Sequence, residues 1–116
     1  MTFTLRRKNR TLIIYLTGEL DLVKANEFRE TVDNTMEEMM AKNLIIDLSS
    51  VNFIDSSGLG VILGRFRKIS AKEGQVVLVG LNSNVRRILE LSGILSFIPV
   101  CTDETDAWEL FEKNVI

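Results

Sequence analysis

The stretch LIIDLSSVNFIDSSGLGVILGRFRKI, residues 44–69, holds the strand, turn and helix that decide the fold. Residues 44–48 form a compact apolar run of strand length, and residues 51–54 lead into a turn at 55–58. Beyond the turn, apolar residues recur at spacings of three and four, which predicts a helix with one buried face. The predicted buried residues are Leu59, Ile62, Leu63, Phe66 and Ile69, with Arg65, Arg67 and Lys68 on the opposite side. A strand followed by an amphipathic helix is typical of α/β proteins.

The residues before this stretch predict a β-hairpin and a first helix. Residues 3–5 alternate between apolar and polar side chains, and a short turn joins them to a denser apolar run at 11–17. Residues 18–21 break this strand pattern. A helical periodicity then extends over about residues 23–42.

The residues after it predict two more helices and at least one more strand. A strand at 75–79 is followed by a short helix that ends at Gly93. Residues 97–100 are at most a short edge strand, because Pro99 has no N–H to donate to a β-ladder. Asp103 is the expected N-cap of the last helix. The sequence therefore predicts one α/β domain over residues 1–116, with a mixed, mostly parallel sheet, an N-terminal antiparallel hairpin and about four helices.

Composition excludes several classes of function. The chain of 116 residues is 46% hydrophobic and carries a net charge of −2, so it offers no general electrostatic footprint for a nucleic acid. The basic cluster of Arg6, Arg7, Lys8 and Arg10 is expected to be the solvated end of the hairpin. No apolar run approaches the roughly 18 residues that span a bilayer, and the first residues do not resemble a secretory signal. With Cys101 as the one cysteine, we expect a protein of the cytoplasm without membrane contact.

The chain contains no histidine, which removes the commonest metal ligand and general base. No metal site, cofactor or catalytic residue is therefore predicted. A phospho-aspartate receiver domain lacks support, because no pair of acids follows the first long strand and no lysine follows the strand at 75–79. A serine nucleophile would need a lysine base, and none is adjacent to the serines of the turn.

The turn Asp55-Ser56-Ser57-Gly58 stands where a strand gives way to a helix. Exposed N–H groups and the helix dipole favour an anion there, so a phosphorylated serine would be tolerated. The phosphate would add about −1.5 to −2 charges to a surface with Asp55 and, we expect, Asp21 and Asp47. The same residues would also suit an ordinary cap and turn, and spacing leaves both interpretations open.

The glycines of the helix, Gly60 and Gly64, match neither the dinucleotide-binding fingerprint nor the P-loop. They are expected to allow close approach of a neighbouring element or of a partner.

Three segments resemble bacterial anti-sigma factor antagonists, the STAS-domain proteins, and in particular their sporulation type. Residues 53–65 resemble the central motif of that family, and residues 18–21 resemble its early loop. Residues 85–88 and 91–93 resemble its third helix. The resemblance covers essentially the whole chain and implies the same fold and the same function.

The resemblance implies a phosphorylation switch at Ser56. In the family, the serine after the aspartate is phosphorylated by the anti-sigma factor, itself an ATP-dependent serine kinase, and a serine phosphatase resets it. The unphosphorylated antagonist binds the kinase and releases the sigma factor. Ser57 is then a helix-start residue. The implied partner surface comprises Asp21, Asp55, Ser57, Gly58, Leu59, Gly60, Asn82 and Ser83.

The free protein is expected to be a monomer. A general-stress or stressosome-type regulator, or a STAS module of another complex, is the alternative function.

Overall fold

The computed structural model describes residues 2–113, which form a five-stranded sheet with helices on both faces. In chain order the elements are β1 Thr2–Lys8, β2 Thr11–Leu20, α1 Leu22–Met39, β3 Asn43–Ile54, α2 Ser56–Ala71, β4 Val76–Val79, α3 Ser83–Ser92, a 3₁₀ turn Ile94–Ser96, β5 Val100–Cys101 and α4 Glu104–Lys113.

The strands lie in the sheet in the order β1-β2-β3-β4-β5. β1 is antiparallel to β2, and all other pairs are parallel. Successive right-handed crossovers that move in one direction along a sheet place their helices on the same face. The main core accordingly joins α1, α2 and α3 to one face, while Ala107 and Phe111 of α4 pack on the other. The predicted α/β class, the N-terminal hairpin and the four helices are confirmed.

The central strands are buried on both faces. In β2, Leu12 and Ile14 belong to the core under α1–α3, whereas Ile13 between them belongs to the core under α4. Neighbouring residues of a strand point to opposite faces, so a strand covered on both sides is a continuous apolar run.

β2 and β3 are longer than the sequence pattern predicts. Residues 44–48 and 51–54 form one strand, and residues 18–20 continue β2 instead of breaking it. Register shifts between the two strands accommodate the irregular residues, as β-bulges do. β4 ends at Val79, which pairs with Asp47, so the ends of β2 and β3 project beyond β4.

The predicted faces of α2 are partly wrong. Arg65, expected in solvent, is only 4% exposed, and its Nε lies 2.9 Å from Asp33 Oδ1 on α1. Burial lowers the pKa of Arg65 despite the attraction of Asp33. Leu63 and Phe66 are only partly buried. Arg65 is buried because α1 packs against that side of α2, and the periodicity of α2 alone cannot predict this contact.

Other boundaries differ slightly. α1 is Leu22–Met39 rather than residues 23–42. Of the possible edge strand at 97–100, only Val100 pairs with β4, together with Cys101.

Candidate functional site

The candidate site lies where the carboxyl ends of the parallel strands meet, which we call the carboxyl edge. Asp21 follows β2, Asp55 follows β3 and Asn82 follows β4, and each is the N-cap of the next helix. Their side-chain oxygens accept the N–H groups of Lys24 at 3.2 Å, Gly58 at 3.0 Å and Val85 at 2.9 Å. The topology thus brings three predicted site residues to one edge of the sheet.

Asp55 ties the serine turn to the loop before α1. Its Oδ1 accepts the N–H of Gly58, while its Oδ2 accepts the N–H of Leu22 at 3.2 Å. Its own N–H donates to the carbonyl of Leu20 at 3.2 Å. One carboxylate therefore caps α2 and fixes the start of α1 beside it, which keeps Asp21 next to the serine turn.

Gly58 allows the first turn of α2 to lie against the end of β2. A Cβ on Gly58 would stand 2.5 Å from the carbonyl oxygen of Leu20 and 2.8 Å from side-chain atoms of Leu20 and Ile54. Gly60 and Gly64 differ, since a Cβ there would meet nothing within 4 Å. The expectation that these two glycines admit a neighbouring element of the chain is therefore wrong, and they leave open surface on α2.

Ser56 is exposed and is the first residue of α2. No hydrogen bond to its hydroxyl is present within residues 2–113, so the side chain has no structural partner there. Ser57, predicted to start the helix, is its second residue and is partly buried. Leu59 is partly buried too and packs against the main core. Of the two serines, Ser56 is the more exposed.

Asn82 caps α3, as asparagine commonly does, and also joins that helix to β3. Its oxygen caps α3, and its amide donates to the carbonyl of Val51 at 2.6 Å, which fastens α3 to the projecting end of β3. Asn84 donates in the same way to the carbonyl of Asn52 at 2.9 Å. Ser83 is exposed and begins α3. These residues place the start of α3 on the same edge as the serine turn.

Asp47 does not belong to this edge, contrary to expectation. It lies within β3 opposite Val79, and its Oδ1 accepts the N–H of Ser49 at 2.9 Å and the hydroxyl of Ser49 at 2.6 Å. Asp47 is eight residues before Asp55, and because β3 continues to Ile54, the projecting end of that strand separates the two carboxylates.

Sequence reasoning missed three exposed apolar residues at the carboxyl edge. Leu22 is 69% exposed, Val23 is 81% exposed and Phe53 is 43% exposed. Their positions in the sequence could have indicated that they lie at this edge, since each is within two residues of Asp21 or Asp55.

Residues 2–113 contain no cluster of three or more acidic or cysteine side chains that could hold a metal ion. No helix in this range is long and apolar enough to cross a membrane.

Comparison with known proteins agrees with this architecture. The family model described as the STAS domain matches residues 2–107. The Anti-sigma F factor antagonist of Paenibacillus polymyxa is 35% identical over 105 residues, which cover 90% of this chain and 88% of the relative. The Anti-sigma-B factor antagonist of Listeria monocytogenes is 31% identical over 87 residues, which cover 75% of each chain.

Two solved structures show the same fold. The anti-sigma factor antagonist SpoIIAA in its unphosphorylated form has a TM-score of 0.84 at 28% identity, covering 99% of this chain and 100% of the other. The Bacillus cell fate determinant SpoIIAA in its phosphorylated form has a TM-score of 0.75 at 26% identity, covering 94% of this chain and 99% of the other. The chain therefore belongs to the STAS domain family, in the class of the anti-sigma factor antagonists.

Proposed function

We propose that this anti-sigma factor antagonist is switched off by phosphorylation of Ser56. The observation that carries the proposal is the exposed Ser56 hydroxyl at the first position of α2, beside two carboxylates that are already fixed as helix caps. The unphosphorylated form binds an anti-sigma factor that is a serine kinase, and the sigma factor is thereby released. The phosphorylated form does not bind.

Catalysis in this proposal belongs to the partners. The anti-sigma factor transfers the γ-phosphoryl group of ATP to Ser56 Oγ, so that an O–P bond forms, the bond to the β-phosphate breaks and ADP leaves. The proton of the hydroxyl goes to a base of the kinase. A serine phosphatase hydrolyses the phosphoserine and resets the switch. The chain itself uses no cofactor and catalyses no reaction.

The physical basis is electrostatic. A phosphate on Ser56 adds about −1.5 to −2 charges next to Asp55 and Asp21. The N-terminus of α2 stabilises that charge through its dipole and its first N–H groups, so the chain stays folded. A partner surface shaped for a neutral hydroxyl then meets a bulkier anion without a compensating cation, and binding is lost.

The proposed partner surface is the set of residues at the carboxyl edge, together with the open face of α2. Gly60 fits this role because the space beside it is empty. The set is Asp21, Asp55, Ser56, Ser57, Leu59, Gly60, Asn82 and Ser83, whereas Gly58, which the resemblance also implied, is buried against β2 and supports the turn from within the fold.

The pathway we favour is sporulation, because the Paenibacillus polymyxa relative is an antagonist of an anti-sigma F factor. The chain would then act on transcription in the cytoplasm through protein contacts, as a monomer and without touching DNA. The Listeria monocytogenes relative supports a second candidate, antagonism of an anti-sigma-B factor. Titrating the chain against both kinds of anti-sigma factor distinguishes the two pathways.

Phosphorylation by the anti-sigma factor tests the proposal. The chain is incubated with ATP and with each anti-sigma factor encoded in its own genome, and the product is mapped by mass spectrometry. We expect one phosphate, on Ser56, and none on S56A. Modification at Ser57, or no modification with any of them, contradicts the proposed switch.

Binding of two substituted chains tests the electrostatic argument. Ser56→Ala should bind the anti-sigma factor and stay bound in the presence of ATP. Ser56→Asp should fold normally and bind weakly, because it carries a charge at the switch position. Full binding by Ser56→Asp would contradict the role of charge.

A further inference from the structure

A pocket lies at the edge where the parallel strands begin, which we call the amino edge, on the face of the sheet that α4 covers. Its volume is about 460 Å³, within the range of roughly 300–1,000 Å³ that is common for small-molecule sites. The first residues of β2 and β3, Thr11 and Asn43, pair in register and form its floor. Trp108 and Phe111 in the second half of α4 form one wall. The pocket is therefore at the opposite end of the sheet from the serine turn.

Thr11 is a buried polar residue of this pocket. It is only 3% exposed, yet within residues 2–113 its hydroxyl has no hydrogen-bond partner. Ile13, two residues later in β2, belongs to the core under α4, so the side chain of Thr11 points to that same face. A buried hydroxyl without a partner destabilises a fold, and valine has nearly the same shape without this cost. Folding alone therefore does not account for a threonine at this position.

Two cations line the mouth of the pocket, and contacts with the backbone hold both in place. Arg10 Nε donates to the carbonyl of Met40 at 2.9 Å, and Lys42 Nζ donates to the carbonyl of Lys72 at 2.8 Å. The backbone N–H of Lys42 donates to the carbonyl of Arg10 at 2.7 Å, which joins the two residues directly. A guanidinium group has five N–H donors and an ammonium group has three. Both side chains therefore keep donors that a ligand can use.

The charges around the pocket favour an anion. Lys8 pairs with Thr11 across β1 and β2, and its Nζ lies 5.3 Å from the centre of the Trp108 ring. Within residues 2–113, the acidic residue that lines the pocket is Glu112. Three cations, Lys8 and the two at the mouth, thus surround a pocket with one carboxylate. Because one wall consists of aromatic rings, the ligand also needs an apolar part.

We propose that this pocket binds a small organic anion that carries a carboxylate or phosphate group on an apolar ring. The anionic group accepts hydrogen bonds from Thr11, Arg10 and Lys42. The ring lies against Trp108 and Phe111. Hydrogen bonds from charged donors are stronger than neutral ones, and the partner of the buried hydroxyl is the ligand itself. The site is far from the serine turn, so the inference does not depend on the proposed function.

Titration of the full chain with benzoate and with phenyl phosphate, followed by NMR, tests the site. We expect saturable shifts of the amide signals of residues 9–12 and 42–43 and of the Trp108 indole N–H. The dissociation constant should be about 1 mM, because compounds of this size have few atoms in contact. Binding by only one of the two compounds identifies the anionic group that fits. No saturable shift with either compound at about 10 mM would contradict the proposal.

Two further compounds separate the ring from the charge. Benzyl alcohol has the ring without the charge, and inorganic phosphate has the charge without the ring. Each should bind at least about tenfold more weakly than the better aromatic anion. Equal binding by benzyl alcohol would contradict an anion site, and equal binding by inorganic phosphate would contradict the contact with the aromatic wall.

The variant Thr11→Val tests the buried hydroxyl. It should bind the better aromatic anion about tenfold more weakly, yet its thermal unfolding temperature should equal or exceed that of the wild type, because an unpaired buried hydroxyl is removed. The matched control is Lys72→Gln, which changes a lysine at the same edge that does not line this pocket and should bind within about twofold of the wild type. Unchanged binding by Thr11→Val would contradict the proposal.

Lys42→Gln is an independent second variant, and it decides the question if Thr11→Val does not fold. It should bind more weakly than the Lys72→Gln control, and its affinity should depend less on salt, because one cation at the mouth is lost. The same affinity and salt dependence as in the control would contradict an anion held at the mouth of this pocket.

Discussion

At the carboxyl edge of the sheet, carboxylates and an amide cap the beginnings of α1, α2 and α3, whereas at the opposite, amino edge, cations cap the ends of α1 and α2. Arg10 Nε donates to the carbonyl of Met40 after α1 at 2.9 Å, and Lys42 Nζ donates to the carbonyl of Lys72 after α2 at 2.8 Å. Both arrangements follow the helix dipole, which favours anions at the start and cations at the end. The same physical rule therefore accounts for the carboxylates at the starts of α1 and α2 and for the cations at their ends.

The two edges differ in which side chains remain exposed once the helices are capped. At the amino edge, Arg10 and Lys42 hold carbonyl groups and so belong to the fold. At the carboxyl edge the caps are also in use, but Ser56 and the side chains of Leu22, Val23 and Phe53 remain exposed. Function at the carboxyl edge therefore depends on side chains that remain exposed in the folded chain. Neighbouring side chains that cap the helices hold them in place.

The largest effect is expected for the buried ion pair between Arg65 of α2 and Asp33 of α1, which joins the two helices beyond their midpoints. Arg65→Ala leaves Asp33 with only the exposed Lys68, which lies 2.9 Å from its other oxygen, and should lower the free energy of unfolding by about 3 kcal/mol. The measurement is urea denaturation. Arg67→Ala on the exposed side of α2 is the control and should change stability by less than about 0.5 kcal/mol.

If the ion pair serves geometry rather than charge, an apolar pair should replace it. The double variant Asp33→Leu/Arg65→Met should recover most of the lost stability. A double variant as unstable as Arg65→Ala would contradict this account of α2.

The next largest effects are expected for alanine substitutions of Gly58 and Gly60, which should change the stability of the chain in opposite directions. Gly58→Ala places a methyl group 2.5 Å from the Leu20 carbonyl and should destabilise the chain by about 2–3 kcal/mol. Gly60→Ala meets nothing and should stabilise it by about 0.5–1 kcal/mol, as alanine does in a helix. Thermal denaturation measures both. Equal effects would show that the first turn of α2 does not lie against β2.

A smaller effect is expected at the cap of α2. Asp55→Ala removes the acceptor of the Gly58 and Leu22 N–H groups and should cost about 1–2 kcal/mol. Asp55→Asn keeps an acceptor for the cap and should cost less. If both substitutions cost the same in chemical denaturation, the charge rather than the hydrogen bond is what matters at this position.

The smallest effect is expected at the amino edge. Lys42→Met keeps the apolar stem of the side chain but loses the cation at the end of α2, which should cost about 0.3–1 kcal/mol. Binding of the anti-sigma factor should not change. A loss of binding would show that the partner also contacts the amino edge.

Periodicity predicted the order of elements and the α/β class because buried strands and amphipathic helices leave strong local patterns. It failed where a contact between distant segments decides the outcome. Residues 18–20 contain a glycine and look like a break, yet pairing with β3 extends the strand. Arg65 lies on the predicted solvent side of its helix, but it is buried and pairs with Asp33 of a different helix.

At the candidate site, too, local features could be predicted from the sequence and contacts between distant segments could not. The turn at 55–58 could be located from the sequence, since a cap and a glycine before an apolar helix are local signals. That Asp55 also fixes Leu22, and that Asp47 lies elsewhere, depends on the register of β2 against β3. The basic residues of the hairpin are exposed, as expected, and two of them form surface ion pairs, Arg7 with Glu38 at 2.8 Å and Arg6 with Glu104.

The central claim is that one phosphate on Ser56 stops binding without refolding the chain. It is tested by comparing the phosphorylated and unphosphorylated chains, each by anti-sigma factor titration and by backbone amide NMR spectra. The account predicts that binding is lost while the spectral changes stay confined to the carboxyl edge, around the starts of α1, α2 and α3. Retained binding, or changes that spread through the strands of the core, would contradict it.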